Sequence, residues 1–320
     1  MHTNLGDFRV MERLAVGGMA EIYLARARTG PRAGKRVVLK RLLPALRSNP
    51  QYIAHFEEEA RLGAQLDHPN IVRHFGLYQR GADFYIVQEL VGGETLQNLA
   101  RRSRAGAPKL GPLPPGARLS PAATLHAMTG LLAALEYLHA APVPGAGPIV
   151  HRDVNPDNLV ARPDGVVKLI DFGIAERSTP DQLTPAPVEG ALRGTPAYMS
   201  PEQVRGRGVG PASDLFCAGI VLWELLAARP LFHAETEFET LRRVKDQQAP
   251  PLRAVWPEAP TRLERLCVRA LAKEPASRFS SAAEMSAAVR DAIEREALGD
   301  GAAALGEAVR RLAPGAPAPD

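Results

Sequence analysis

Two short polar stretches constrain this chain more than any other feature. They are His151-Arg152-Asp153-Val154-Asn155-Pro156-Asp157-Asn158 and Asp171-Phe172-Gly173, with eighteen residues from Asp153 to Asp171. Asp153 and Asn158 stand five apart across Pro156, so a single tight loop carries both. The run Val166 to Ile170 reads as a buried strand that delivers the Asp171 carboxylate straight into a cleft. At 320 residues, with 45% hydrophobic and 23% charged residues, the chain is an ordinary globular one, long enough for two lobes around a shared cleft.

The periodicity changes once along the chain. Residues 8–40 alternate apolar and polar with Gly and Pro punctuation, which predicts three antiparallel strands. Tyr52 to Leu66 has helical spacing and stops before Asp67-His68-Pro69-Asn70. Val72 to Leu77 and Phe84 to Leu90 read as two more strands, and Val91-Gly92-Gly93 as a flexible exit. Helices dominate beyond Glu94: Ala122 to His139, Asp214 to Ala228, Glu235 to Lys245, Arg262 to Ala272 and Ser281 to Leu298. The expected fold is therefore α+β and two-lobed. A small antiparallel sheet with one packed helix occupies residues 1–91, a larger and mainly helical lobe occupies 92–298, and 299–320, an apolar helical patch followed by Pro-Gly-Ala-Pro-Ala-Pro, form a tail or linker. Residues 103–121 and 140–149, rich in Pro, Gly and Ala, read as surface insertions.

Several function classes are disfavoured at this stage. The net charge of +4 is mild, and the patch Arg101, Arg102, Arg104, Lys109 and Arg118 lies among Pro and Gly, as a solvated loop does; no nucleic-acid partner is expected. Cys217 and Cys267 sit in apolar helical surroundings and read as reduced, buried thiols. The first residues lack a signal-peptide pattern, and the apolar run Leu215 to Trp223 is too short to span a bilayer. The expected location is cytoplasmic, with no membrane span in the chain.

One base or orienting carboxylate for an acceptor hydroxyl, with an amide oxygen and a second carboxylate for a metal on the phosphates, is the group set that phosphoryl transfer from ATP requires. Asp153 fits the first role; Asn158 and Asp171 fit the second. Leu14-Ala15-Val16-Gly17-Gly18-Met19-Ala20-Glu21-Ile22 lies between two strands, where small residues let backbone N–H groups approach phosphates, although a plain β-hairpin accounts for the segment equally well by itself. Lys40 ends the strand Val37-Val38-Leu39-Lys40, and nineteen residues on Glu59 lies on the predicted helix, with Glu57 and Glu58 beside it as alternatives.

With these motifs in this order, the chain from about Phe8 to Leu298 resembles the bacterial serine/threonine protein kinases of the eukaryotic-like type. The resemblance implies ATP as co-substrate with Mg²⁺ or Mn²⁺ and protein substrates with Ser or Thr acceptors. Family members also self-associate for autophosphorylation. It implies that Leu14, Ala15, Val16, Gly17, Gly18, Met19, Ala20 and Ile22 cover the nucleotide, with Ala15 and Ala20 where the family has glycine. It further implies that Lys40 pairs the phosphates and is held by Glu59, that Gln88 is the residue behind adenine, and that Glu89 to Val91 bind adenine through their backbone. Gly194 to Glu202 is similar to the end of the family's activation segment, Glu202 to the partner of a buried arginine matched by Arg278, and Asp214 to a brace of the catalytic loop. Thr195 is expected to contact that loop, and His151 to be a packed, structural histidine.

The main departure is Asn155, where the family places a lysine. A charge that meets the transferring phosphoryl group is missing, a neutral N–H donor remains, and Asn155→Lys is expected to raise turnover. Ala15, Ala20 and Asn155 also support an alternative, a pseudokinase scaffold that binds nucleotide and transfers little; the intact Lys40, Glu59, Asp153, Asn158 and Asp171 weigh against it. A small-molecule kinase is a third reading. The resemblance makes Arg152 a site for a phosphate on the activation segment, with Ser178, Thr179 and Thr184 as candidate acceptors and Thr184 first among them.

Overall fold

The computed structural model describes residues 4–106, 116–140, 147–171, 176–177 and 195–315. The chain divides into two compact units, one within Met1–Gly92 and one within Gly93–Ala316.

The first unit is an antiparallel sheet of β1 (Asn4–Leu5), β2 (Phe8–Val16), β3 (Ala20–Ala27), β4 (Arg36–Leu42), β5 (His74–Arg80) and β6 (Asp83–Glu89), ordered β1-β2-β3-β4-β6-β5. Alternation along β4 divides its side chains between two cores. Val37 and Leu39 join Phe8, Ala25, Ala27 and Val87 on one face, while Leu42 joins Ala20, Phe84 and Ile86 under the helix α1 (Pro50–Gly63) on the other. Asn49 caps α1 by accepting the Gln51 N–H, and Pro50 supplies the first helical position, so the helix starts two residues before the periodic run does. β5 also departs from expectation, beginning at His74. Ile71 and Val72 are buried, but they lie outside the strand: the Ile71 N–H closes a turn on His68 O, and Val72 follows it.

The second unit opens with β7 (Glu94–Thr95) and α2 (Leu96–Ser103), which Thr95 caps through the Asn98 N–H. There follow α3 (Pro121–His139), β8 (Ile149–Val150), β9 (Leu159–Ala161), β10 (Val167–Leu169), α4 (Pro201–Val204), α5 (Pro211–Ala227), α6 (Glu237–Asp246), α7 (Thr261–Ala270), α8 (Ala282–Arg295) and α9 (Gly301–Leu312). Helix α5 is buried almost throughout, and it packs on α3 and α7. Its apolar run is core, and no helix among the described residues is long and apolar enough to cross a membrane. Both cysteines are buried and unpaired.

Two expectations are corrected here. Residues 299–320 are not simply a tail: Gly301–Leu312 form α9, whose Leu305, Gly306, Ala308 and Val309 are buried against α3 and α2. The arginine patch is not a solvated loop either. Arg101 and Arg102 lie on α2, Arg102 pairs with Glu94 at 2.9 Å, and Arg118 stacks on Trp256 and donates to Leu226 O. Lys109 lies outside the described residues.

Candidate active site

In the sheet unit, strand register puts Lys40 opposite Ile22 and Ile86 on the face that α1 covers. Its Nζ donates to Glu59 Oε1 at 2.7 Å, with side-chain exposures of 8% and 4%. Glu57 is exposed and Glu58 pairs with Arg61, so the helix offers Glu59 alone to the lysine. One turn further along α1, Gly63 lies beneath the ring of His74: a Cβ there would stand 2.1 Å from Nδ1. The ring in turn meets Gln88, Nε2 to Nε2, at 2.8 Å, and both side chains are buried. Gln88 is therefore satisfied within the sheet unit by a histidine that the sequence reading passed over. The only signal was the glycine itself, a poor residue inside a helix unless something must come close.

The hairpin Leu14 to Ile22 pairs Ala15 with Ile22 and Val16 with Glu21, and Gly17 N–H closes it on Ala20 O at 2.8 Å. Neither Gly17 nor Gly18 adopts positive φ, and a Cβ would find ordinary contact at Gly17 and open space at Gly18. Among the described residues nothing demands these glycines, which leaves their small size facing outward. Leu14 and Val16 are exposed, and Met19 O accepts the Leu43 N–H. Ala20 is different: its side chain is buried in the core under α1. At the other end of the sheet, Glu89 ends β6, exchanging hydrogen bonds with Arg73 through its N–H and its carboxylate, before Val91 leads to the unit boundary.

In the helical unit, the loop after β8 is organised by Asp214 at the start of α5. Its carboxylate accepts from the backbone of His151 at 2.9 Å and of Arg152 at 2.8 Å, and from His139 Nε2 at 2.8 Å. Burial pushes the Asp214 carboxyl up, but the His139 hydrogen bond, the electrostatic influence of His139 and His151 and the His151 N–H outweigh it and hold the carboxyl below its ordinary value. Arg152, at φ +65°, is in the left-handed region, a conformation worth about 1–3 kcal/mol of strain for a residue with a Cβ. It is held from both sides, since Arg152 O accepts from Gln203 Nε2 at 2.8 Å. His151 is fully buried, with Nδ1 accepting the Asp153 N–H.

That backbone kink presents Asp153. One carboxylate oxygen accepts the N–H and hydroxyl of Thr195, at 3.2 and 3.3 Å, and the other accepts Asn158 Nδ2 at 2.9 Å. Burial raises the Asp153 carboxyl above its ordinary value; Asp171 adds to the rise, while His151, Thr195 and Asn155 oppose it. Asn158 also donates to Asp153 O, which commits its amide nitrogen to the loop and leaves its carbonyl oxygen without a hydrogen bond from the described residues. Asp171 follows β10, where the Ile170 N–H donates to Asn158 O at 3.0 Å. Among the described residues no group of three or more His, Cys, Asp or Glu gathers to hold a metal alone. An amide oxygen and a carboxylate nonetheless fit a hard divalent ion that completes its shell with phosphate oxygens and water. Phe172, Gly173, Ser178, Thr179, Thr184 and Gly194 lie outside the described residues.

Asn155 also has a role within the loop itself. Its side chain is buried, its Oδ1 accepts the N–H groups of Asp157 and Asn158 at 2.9 and 3.1 Å, and its Nδ2 donates to Asp153 O at 3.2 Å. It caps the turn that carries Asn158 and commits one of its two amide hydrogens to Asp153 O. A lysine cannot accept those two N–H bonds. Asn155→Lys is therefore expected to lower turnover, not raise it. Loss of such a cap is worth roughly 0.5–2 kcal/mol, and each ~1.4 kcal/mol at the barrier is a factor of ten. Steady-state kinetics checks this, and a rise in turnover would contradict it.

Beyond this loop, Glu202 and Arg278 form a buried bidentate pair at 2.7 and 2.9 Å, with the Ser213 hydroxyl as a third donor to Glu202. Sequence reasoning missed Glu224 on α5, whose carboxylate accepts from the Tyr198 hydroxyl at 2.6 Å and from Leu231 N–H at 2.7 Å. Burial raises its pKa from 4.5 to about 7, against the pull of those two hydrogen bonds. Between roughly pH 4.5 and 7 the folded state keeps a proton that the unfolded chain has released, so stability falls as pH rises through this window, by on the order of 3 kcal/mol in all. Glu224→Gln, which retains a carbonyl for Leu231 and a group for the two-way Tyr198 hydroxyl, is expected to flatten that slope in denaturant titrations at a series of pH values.

Comparison with known sequences accords with this geometry. A profile described as Protein kinase domain matches residues 8–289. The tyrosine-protein kinase MasK of Myxococcus xanthus is 35% identical over 94% of this chain and 45% of its own length. A probable serine/threonine-protein kinase of Streptomyces coelicolor is 35% identical over 93% of the chain and 42% of its own length. Serine/threonine-protein kinase PknA of Mycobacterium tuberculosis is 32% identical over 89% of the chain and 61% of its own length. The chain thus spans about half the length of the curated relatives it matches. By the extent of the profile match and of these likenesses, the chain belongs to the protein kinase domain family.

Proposed function

We propose that this chain is the catalytic part of an ATP-dependent protein kinase acting on Ser and Thr hydroxyls of protein substrates. The observation that supports this most is the Asp153 carboxylate, steadied by Thr195 and Asn158 and raised in basicity by burial and by Asp171. In this reading Asp153 orients the acceptor hydroxyl and takes its proton, for which a raised carboxyl is better suited than an ordinary one. Asn158 and Asp171 hold the divalent ion, which neutralises charge on the phosphates. Mg²⁺ is the ion proposed.

The sheet unit, residues 1–91 in the expected division, is assigned to the nucleotide. Lys40, kept in place by buried Glu59, meets the phosphates, and Glu89 to Val91 meet adenine. The small residues Gly17 and Gly18 let the hairpin backbone come near. The reasons for a non-transferring scaffold weaken on inspection: Ala20 is a core residue, Ala15 is paired in a strand, and Asn155 is a cap. Relatives named for tyrosine and for serine/threonine both match the chain, so the acceptor class deserves a direct test.

Radiolabelled ATP with a generic basic protein, followed by acid hydrolysis and separation of the phosphoamino acids, provides it. Phosphoserine and phosphothreonine are expected. Phosphotyrosine alone would overturn the acceptor class, and absence of transfer would overturn the enzyme reading.

A further inference from the structure

Helix α9 lies outside residues 8–289 of the family match, yet it sits at the far end of the hairpin that carries the two proposed metal-holding side chains. Strands β9 and β10 pair Leu159 with Leu169, Val160 with Lys168 and Ala161 with Val167. At the near end, Asn158 precedes β9 and Asp171 follows Ile170, joined by the Ile170 N–H to Asn158 O bond. At the far end is the turn Arg162 to Val166, closed by Arg162 N–H on Val166 O and Gly165 N–H on Arg162 O.

Helix α9 grips that turn at backbone distance. A Cβ on Gly306 would stand 2.4 Å from Pro163 O, and one on Gly165 would stand 2.6 Å from Ala302 O. The Arg310 guanidinium donates to Pro163 O, and His126 Nε2 of α3 lies 3.1 Å from Gly165 O. The other end of the helix is tied as well. Arg102 donates to Leu312 O at 2.9 Å while pairing with Glu94, and Glu94 belongs to β7, which pairs with β9. Helix, turn and third strand thus fix the hairpin from outside. With strands of about 10 Å, a tilt at one end is transmitted to the other.

We propose that α9 is a positioning element for Asn158 and Asp171: by seating the Arg162–Val166 turn it sets where the metal-holding pair stands. This rests on the proposed reading of those two residues. Gly306→Val inserts a side chain where Pro163 O lies, and Arg310→Ala removes a tie without adding bulk.

Both variants of the full chain are compared with wild type in Mg²⁺-dependent binding of a non-hydrolysable ATP analogue, and in amide hydrogen exchange of the β9–β10 hairpin without metal. The expected result is a half-saturating Mg²⁺ concentration raised by about 10–100-fold, as when outer partners of metal ligands are removed, with faster exchange at Ile170 and Arg162. If Gly306→Val does not fold, Arg310→Ala decides. Unchanged Mg²⁺ dependence in the folded variants, with any fall in melting temperature, overturns the proposal and leaves the enzyme reading standing. A wild-type chain that binds the analogue identically with and without Mg²⁺ removes the metal role of Asn158 and Asp171, and the proposal with it.

Discussion

Asp153→Asn is expected to lower turnover by about 10²–10⁴-fold, the range typical of a positioned proton acceptor, with little change in nucleotide affinity. The substitution is close to isosteric. Asn at this position still accepts from Thr195, and Asn158 keeps its second bond to the residue 153 backbone oxygen, so the loop retains its shape. Asn158 and Asp171 are untouched, and with them the proposed grip on the ion. The loss therefore falls on kcat and not on KM for ATP, which is the pattern of an interaction made only at the transition state. Steady-state kinetics in both substrates measures it. A variant with wild-type kcat would mean that Asp153 neither takes nor orients the acceptor proton.

The second large effect is on stability. Arg278→Ala is expected to destabilise the helical unit by about 3–5 kcal/mol, because it leaves the buried Glu202 carboxylate without its partner. All five donors of this guanidinium are engaged: two on Glu202, and one each on Ala212 O, Ala272 O and Lys273 O. Burial raises the Glu202 carboxyl, and the bonds and charge of Arg278 together with the Ser213 hydroxyl bring it below its ordinary value. A buried ion pair can often be exchanged for two apolar residues at little loss, but three backbone carbonyls would be orphaned here. Glu202→Leu with Arg278→Met is accordingly expected to remain destabilised, as read by chemical denaturation. Recovery of wild-type stability in that double variant would show that the carbonyl bonds count for little.

Much of this was legible in the residues. The sheet-then-helix order follows from the change of period, and Asp153, Asn158 and Asp171 are recognisable because their chemistry depends on residue type and short spacing. What escaped depends on distances that spacing does not encode. Asn155 differs from a lysine by what its amide can accept, and that matters only once the turn brings the Asp157 and Asn158 N–H groups to it. Gly63 and His74 complement each other in volume across ten residues of intervening chain, and neither has a periodic signature. Helix α9 reads as a helical patch in a linker, but its spacing does not show that smallness at Gly306 is what lets its backbone meet Pro163 O. Ile71 and Val72 have strand-like composition but are buried just before the strand begins. Arg102 looks like a solvated charge until Glu94 and Leu312 O are seen beside it.

The account stands on two proposed roles, Lys40 as a phosphate partner and Asp171 as a holder of the metal. Calorimetric titration of ATP with and without Mg²⁺ into wild type, Lys40→Met and Asp171→Asn tests this most directly. Saturable, Mg²⁺-dependent binding in wild type, weakened in both variants, is the predicted result; binding that is indifferent to Mg²⁺ and to both substitutions, or no binding at all, would contradict it.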